Sequence, residues 1–221
     1  MPSQPAFFNG PLRGRALPLP AWSLADGTPV RLRAVHADDA AALGVMLGGL
    51  DAGARRRRFH GAVNVGSLSF VARMTQVDAR HEWAVVVEVD RADGASVLVA
   101  EARLAWRAGG EAAEFGMSVA GPCQRQGIAR RTLGALMDEA RSRGFKALRG
   151  HVVADNLPMQ ALLASMGFHA SADEDGPCFQ AALQPAASQR PHAPAWPGLR
   201  WAEALGLLAG LRRLWAHRAT A

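Results

Sequence analysis

The segment 114–129 limits most strongly what this chain can fold into, because it has the pattern of a strand, a sharp turn and a helix start. Residues 114–119 form a short apolar run with an acid at its head. Gly121 and Pro122 end the run, since proline donates no backbone hydrogen bond and fixes φ. From 128 to 144, apolar residues recur with helical spacing. We therefore predict a strand, a turn and a helix in close succession.

The turn of this unit has the features of an anion-binding site. The first backbone N–H groups of a helix find no acceptor within it and lie at the positive end of its dipole, so they suit a phosphate or pyrophosphate. Gly127 has no Cβ and lets a ligand approach the main chain, Ala129 is small, and Arg125 adds positive charge. The alternative is an ordinary turn in which Gly127 only permits the chain to reverse.

The pattern Gln124-x-x-Gly127-x-Ala129 resembles the acetyl-CoA signature of the GNAT superfamily of N-acetyltransferases. The pattern is short, and its position between a predicted strand and a predicted helix gives it weight. The resemblance implies that the main chain of 124–129 holds the diphosphate of acetyl-CoA.

Other segments share this resemblance, which covers about residues 29–183 and is strongest over 112–168. Two of them resemble GNAT domains in general: Val-Arg-Leu-Arg…Asp-Asp-Ala within 30–40, and Asn…Ala…Gly-Phe within 156–168. Two others are similar to the GNAT domains of bacterial Pat-type protein lysine acetyltransferases: the Arg-Phe pair at 58–59 and the segment 74–84.

The fold class that the resemblance implies is α/β (α+β). A mixed, strongly twisted central sheet would be flanked by helices on both faces, and its central strands would splay apart to admit acetyl-CoA. Periodicity and turn residues predict strands at 29–35, 82–89, 96–106, 114–119, 148–154 and 177–183. They predict helices at 40–50, 128–143 and 157–166.

Four segments make up the predicted domain organisation. Residues 1–27 are expected to be a mobile tail because prolines and glycines interrupt them, and 28–183 form the GNAT-like domain. Residues 184–197 are a linker rich in proline and alanine, and 198–218 form an amphipathic helix. We expect this helix to dock on its own domain or on a second subunit, which leaves a homodimer open. Contact with a membrane surface is the weaker alternative.

Composition excludes several other classes of protein. The net charge is +6, but no aromatic residues interleave a basic patch, so we expect no nucleic-acid partner. No run of 18 apolar residues could span a membrane, and the N-terminus lacks the apolar stretch of a secretory signal. The two cysteines, Cys123 and Cys178, do not make a disulfide framework, and we expect reduced thiols in a cytoplasmic protein.

A metal site is not expected. His81-Glu82 is the start of a zinc-protease pattern, but Val85 occupies the position of its second histidine. Cys123 is rejected as a nucleophile because no histidine partner is visible for it.

The resemblance implies acetyl transfer from acetyl-CoA to a primary amine by direct attack, without a covalent enzyme intermediate. Glu114 is the expected general base, and Glu111 is its near competitor. Backbone N–H groups near Val119 are expected to bind the acetyl carbonyl. The residues expected to hold acetyl-CoA are Met117, Ser118, Val119, Gln124, Arg125, Gln126, Gly127, Ile128, Ala129 and Asn156.

The sequence departs from the family pattern in one place. Many GNAT enzymes use a tyrosine before the Gly-Phe pair to protonate the leaving thiolate. This chain has no tyrosine, and Leu163 stands at that position. Water or Ser165 could serve instead, because a thiol pKa of about 8.5 already makes thiolate a tolerable leaving group.

The run Arg55-Arg-Arg-Arg58 is interpreted first as a solvated helix face, and second as a contact for an anion or an acidic partner. For the whole chain, the first hypothesis is an acetyltransferase acting on a protein lysine. The alternatives are a small-molecule amine acetyltransferase and a non-catalytic acyl-CoA-binding regulatory module.

Overall fold

The computed structural model describes residues 21–61, 63–91, 94–173 and 176–183. Its strands are β1 (Ala21–Ser23), β2 (Pro29–Ala34), β3 (Glu82–Asp90), β4 (Ser96–Trp106), β5 (Ala112–Val119), β6 (Ala147–His151), β7 (His169–Asp173) and β8 (Gly176–Ala182). Its helices are α1 (Ala40–Gly48), α2 (Ala52–Phe59), α3 (Leu68–Thr75), α4 (Ile128–Ser142) and α5 (Leu157–Ser165). Short 3-10 turns lie at Ala37–Asp39 and Gly121–Cys123.

The strands form one mixed sheet in the order β1-β2-β3-β4-β5-β6-β8-β7. Every neighbouring pair is antiparallel except β5 and β6, which run parallel. Gly94 and Gly109, with φ of 82° and 71°, lie in the turns that connect β3 to β4 and β4 to β5. Such left-handed conformations are open to glycine at little cost. The predicted fold class is confirmed.

Helices cover both faces of the sheet because the central strands are apolar on both sides. Val85 and Val87 belong to the core that contains α4, whereas Val86 between them belongs to the core that contains α1 and α3. This alternation follows from the two-residue period of a strand. The buried face of α4 includes Leu133, Leu136, Met137 and Ala140, as its spacing predicted.

β5 and β6 separate partway along their length. They pair only at Ala112 with Ala147, Ala113 with Leu148 and Glu114 with Arg149, although β5 continues to Val119. The Phe115 ring lies against the backbone of Gly150 just beyond the last pair, where a Cβ would come within 2.3 Å of it. The bulky Phe115 ring thus lies at the point where the two central strands splay apart, as expected.

The domain begins earlier than predicted. Residues 21–23 were placed in the mobile tail, but they form β1 and pair with β2. Trp22 and Leu24 pack against the core, and this apolar burial holds the segment in place. Helix α3 and strand β7 were also not predicted. The rest of the tail, the linker 184–197 and the helix 198–218 lie outside the described residues.

Candidate active site

A cavity of about 740 Å³ opens where β5 and β6 diverge. Its walls come from the C-terminal half of β5, the end of β6, the turn before α4, the start of α5 and one face of α2. The structure brings most of the predicted site residues together here. Those that line the cavity are Glu114, Met117, Ser118, Val119, Gln124, Arg125, Gly127, Ala129 and Asn156.

The turn before α4 is shaped by two left-handed residues, Arg125 with φ of 60° and Gly127 with φ of 81°. Two glutamine side chains brace it: Gln124 Nε2 donates to Val119 O at 3.0 Å, and Gln126 Nε2 donates to Pro122 O at 3.1 Å. Gln126 and the buried Ile128 do not line the cavity, so these two support the turn from behind.

The main chain of this turn is open to a ligand. Within the described part of the chain, the N–H groups of residues 125–130 have no acceptor, and the first helical bond runs from Arg131 N to Gly127 O at 3.1 Å. A Cβ built at Gly127 meets nothing within 4 Å, so the space above it is empty. Unpaired N–H groups at a helix start suit the diphosphate of a CoA thioester.

The edge of β5 that faces β6 has free main-chain groups as well. Ala120 N donates to Val99 O at 2.8 Å, on the β4 side. Because hydrogen bonding alternates along an antiparallel strand, the main-chain groups of Met117 and Val119 point into the gap. Gln124 Nε2 uses Val119 O, which leaves Val119 N–H available to a carbonyl oxygen in the cavity.

Glu114 lies at the point where the two strands separate. Ala113, Phe115 and Met117 face the core that contains α4, so Glu114 projects from the opposite face of the sheet. Its carboxylate lines the cavity and makes no hydrogen bond or ion pair with any other described residue. It is therefore free to accept a proton.

Glu111, the competing candidate for the base, is in a different environment. It forms an ion pair with Lys146. Its side chain is 69% exposed and does not line the cavity. The geometry therefore favours Glu114.

A buried ion pair lies under the cavity on the same face of the sheet as Glu114. Arg58 Nε donates to Glu101 Oε1 at 2.5 Å and Arg58 Nη2 to Glu101 Oε2 at 3.1 Å, and both side chains are under 5% exposed. Ser118 Oγ donates to the same carboxylate at 3.0 Å. Ser118, which was predicted to hold acetyl-CoA, thus lines the cavity, but its hydroxyl group donates a hydrogen bond to Glu101. Arg58 lies directly on Gly116, which has no side chain to obstruct it.

Helix α5 forms the other wall. Asn156 Oδ1 accepts from Met159 N at 3.4 Å and caps this helix. Leu163, which stands at the position of the missing tyrosine, is fully buried in the core, and its neighbour Leu162 lines the cavity. Ser165 does not line the cavity; its Oγ donates to Leu162 O at 2.6 Å and accepts from Arg130. Ser165 is therefore poorly placed to protonate a thiolate.

Several residues that line the cavity were not singled out from the sequence. His60 and His151 make an edge contact with ring centroids 6.5 Å apart. Asp155 pairs with Arg56 at 2.6 Å and joins α2 to the loop before α5. Arg107 lines the cavity too, as does Arg57 of the arginine run in α2. Of these, only the arginine run of α2 left a signal in the sequence, because the other residues come from separate elements.

The cysteines do not suggest covalent chemistry. Cys123 and Cys178 are not joined in a disulfide. Burial raises the pKa of the Cys123 thiol, which disfavours the nucleophilic thiolate. Among the described residues, no group of three or more His, Cys, Asp and Glu side chains is arranged to hold a metal ion. No helix in that part of the chain combines the length and apolar character needed to cross a membrane.

Residues 66–168 match the model of the acetyltransferase (GNAT) family. Among solved structures, the GNAT domain of S. lividans PAT is similar with a TM-score of 0.65 and 24% identity, over 74% of this chain and 96% of that one. No curated protein sequence matches this chain at a significant level.

Two protein acetyltransferases share the fold. The ribosomal-protein-S5-alanine acetyltransferase from Vibrio fischeri has a TM-score of 0.58 and 13% identity, over 74% of this chain and 96% of that chain. RimL, a ribosomal L7/L12 α-N-protein acetyltransferase in complex with coenzyme A, has a TM-score of 0.58 and 15% identity. The match covers 75% of this chain and 97% of that chain. At these identities the similarity shows the fold.

Proposed function

Because this chain carries an acetyltransferase domain of the GNAT family, we propose that it transfers the acetyl group of acetyl-CoA to a protein lysine, with Glu114 as the general base. The observation that carries the proposal is the Glu114 carboxylate, which no other described residue pairs with, in the same cavity as the open turn at 125–130. This arrangement offers a diphosphate site and a proton acceptor in one cavity.

Acetyl-CoA would enter between β5 and β6. The N–H groups of 125–130 would bind its diphosphate, and Arg125 would add a positive charge. The main-chain groups of Met117 and Val119 would hold the pantetheine arm, with Asn156 on the opposite wall. The thioester would then lie against β5, near the face from which Glu114 projects.

The reaction begins with an amine that is mostly protonated, since its pKa is about 10. Glu114 accepts a proton from the ammonium group, directly or through a water, and the freed nitrogen attacks the thioester carbon. The carbonyl oxygen becomes an oxyanion that Val119 N–H stabilises. The attached nitrogen gives up its second proton to water, the C–S bond breaks while the new C–N bond remains, and the CoA thiolate takes up that proton. Glu114 releases the first proton to solvent.

A tyrosine is not required for the last step. Leu162 and Leu163 occupy the region of α5 where a tyrosine would donate, and neither can supply a proton. Thiolate leaves without prior protonation because the thiol pKa is about 8.5.

A protein acceptor is favoured by the similarity to Pat-type domains in the segments 58–59 and 74–84. The two acetyltransferases of similar fold described above act on ribosomal proteins, and their acceptors are therefore also protein amines. A small-molecule amine and a non-catalytic acyl-CoA-binding role are the competing functions.

A thiol-release assay with acetyl-CoA, lysine peptides and polyamines tests the proposal. Glu114→Gln should lower kcat by about 10²- to 10⁴-fold while acetyl-CoA affinity stays nearly unchanged. Glu111→Gln is the matched control and should retain activity. Unchanged turnover in Glu114→Gln would remove Glu114 as base. Acetyl-CoA binding without thiol release for any amine would favour the regulatory module.

A further inference from the structure

We propose that the acceptor lysine has an acidic neighbour, and that Arg57 recognises the carboxylate of this neighbour. The inference rests on the proposed function and names the acceptor class of that same cavity. It concerns the arginine run of α2, which the catalytic mechanism does not use.

Helix α2 forms one wall of the cavity into which the acceptor amine would enter. Glu114 and Gly116 project from the face of the sheet opposite to α4, and Arg58 of α2 lies on Gly116. An amine that reaches Glu114 within this cavity would therefore lie beside α2. The residues of α2 that line the cavity are Ala54, Arg57, Arg58 and Phe59.

Arg57 is the arginine on this side of α2 that has no partner within the described part of the chain. Arg58 is neutralised by Glu101, and Arg56, on another side of the helix, pairs with Asp155. The Arg57 guanidinium makes no hydrogen bond or ion pair with any of the residues that the structure describes. A half-buried cation without a partner in a cavity is available to an anionic ligand.

The conformation of Arg57 suits this role. Its side chain lies back along α2, with Nη1 only 3.1 Å from the position that a Cβ at Gly53 would take. The absence of a side chain at Gly53 leaves room for the guanidinium against the helix. The planar guanidinium carries its donors in a fork that matches a carboxylate.

The charges of Glu114 and Arg57 are complementary to an acceptor that carries both an ammonium group and a carboxylate. Glu114 is negative and faces the incoming ammonium group, and Arg57 is positive and faces the neighbouring carboxylate. A polyamine has no carboxylate and would be repelled by Arg57. Lysine beside glutamate or aspartate in a protein carries both groups on adjacent residues.

The test compares three peptides that differ only beside the lysine, with glutamate, glutamine or arginine at the flanking position. For the 221-residue chain, kcat/KM should be highest for the glutamate peptide, about fivefold above glutamine, and lowest for arginine. The glutamate advantage should shrink as ionic strength rises.

Substitutions in α2 test whether Arg57 causes the preference for the glutamate peptide. Arg57→Gln should remove the difference between the glutamate and glutamine peptides, and Arg57→Glu should reverse the order. Arg55→Gln is the matched control on the same helix, because Arg55 does not line the cavity and donates to Gly48 O at 3.3 Å. It should keep the wild-type order. Thermal unfolding checks that each variant is folded.

The outcomes separate this inference from the proposed function. Equal kcat/KM for all three peptides would overturn the role of Arg57 and leave the lysine acetyltransferase standing. Turnover of free lysine but not of cadaverine or any peptide would support carboxylate recognition and overturn the protein acceptor. Absence of turnover with every amine would overturn both proposals.

Discussion

Arg58 and Glu101 form a buried ion pair directly beneath the candidate active site, with Nε and Oε1 2.5 Å apart. The pair joins α2 to the central strand β4, and the Ser118 hydroxyl of β5 donates to the same carboxylate. It therefore fixes the helix that covers the acceptor side of the cavity to the strands that form its floor.

Removal of one partner of this pair should be costly. Glu101→Ala leaves the Arg58 guanidinium buried without a counter-charge, and we expect the free energy of unfolding to fall by about 3–5 kcal/mol in urea titrations. The double variant Arg58→Met with Glu101→Leu should recover much of that loss. Arg56→Gln, which removes the exposed pair with Asp155, should change stability by at most about 1 kcal/mol. Equal effects of Glu101→Ala and Arg56→Gln would contradict a structural role for the buried pair.

The role of the turn before α4 can be tested with a matched pair of glycines. Gly127 and Gly144 both have left-handed φ, 81° and 84°, and a Cβ at either meets nothing within 4 Å. Alanine at either position should cost a similar backbone strain of about 1 kcal/mol. Only Gly127→Ala should also weaken acetyl-CoA binding, by at least about tenfold in calorimetry, because its Cβ would intrude between the ligand and the N–H groups. Equal affinities of the two variants would argue against diphosphate binding at this turn.

The separation of β5 and β6 should be sensitive to Gly150. A Cβ there would lie 2.3 Å from the Phe115 ring, which is itself packed edge-on against Phe168 with ring centroids 5.7 Å apart. Gly150→Ala should lower the free energy of unfolding by about 1–3 kcal/mol, as expected for overpacking. Phe115→Leu in the same chain should relieve part of this effect, and a double-mutant cycle measures the coupling. Strict additivity of the two changes would mean that the ring and Gly150 do not compete for this space.

Stability should fall in acid, in part through Asp39. Hydrogen bonds from the Arg33 guanidinium, followed by the His36 N–H, hold the pKa of Asp39 below its usual value. Because the folded pKa is the lower one, this carboxylate stabilises the fold above its unfolded pKa of about 3.9 and loses that effect as pH falls through the folded pKa. Asp39→Asn should therefore be less stable than wild type at pH 7, and the gap should close towards pH 3. Parallel stability curves for the two proteins in urea titrations from pH 7 to 3 would rule this out.

The local elements of the site could be predicted because they depend on neighbouring residues. The turn at 124–127 and the helix after it follow from Gly121, Pro122, Gly127 and the apolar spacing of α4, all within one short stretch. Asn156 accepts a hydrogen bond from Met159 N, three positions ahead, and asparagine is a preferred residue at a helix N-cap. The first strand β1 was missed because its pairing with β2 and the packing of Trp22 depend on distant partners.

The remaining contacts of the site could not be derived from periodicity. Arg58 and Glu101 are 43 positions apart, and Arg56 and Asp155 are 99 apart. A repeating pattern shows that one side of α2 is apolar or charged, but it does not show which strand lies beneath that side. Only the structure shows that Leu162 faces the cavity and Leu163 faces the core. The rotation of α5 about its axis decides which of these adjacent leucines faces the cavity.

The sequence by itself determined the strand, turn and helix around Gly127 and their resemblance to the acetyl-CoA signature of GNAT domains, because main-chain geometry is set within a few residues. Only the tertiary structure decided that β5 and β6 separate after Glu114 and that α2 lines the gap. It also decided that Arg58 pairs with Glu101 while Arg57 forms no ion pair with another described residue. Those features arise from packing and charge pairing between elements far apart in the chain, which is why they appear only once the sheet and its helices are assembled.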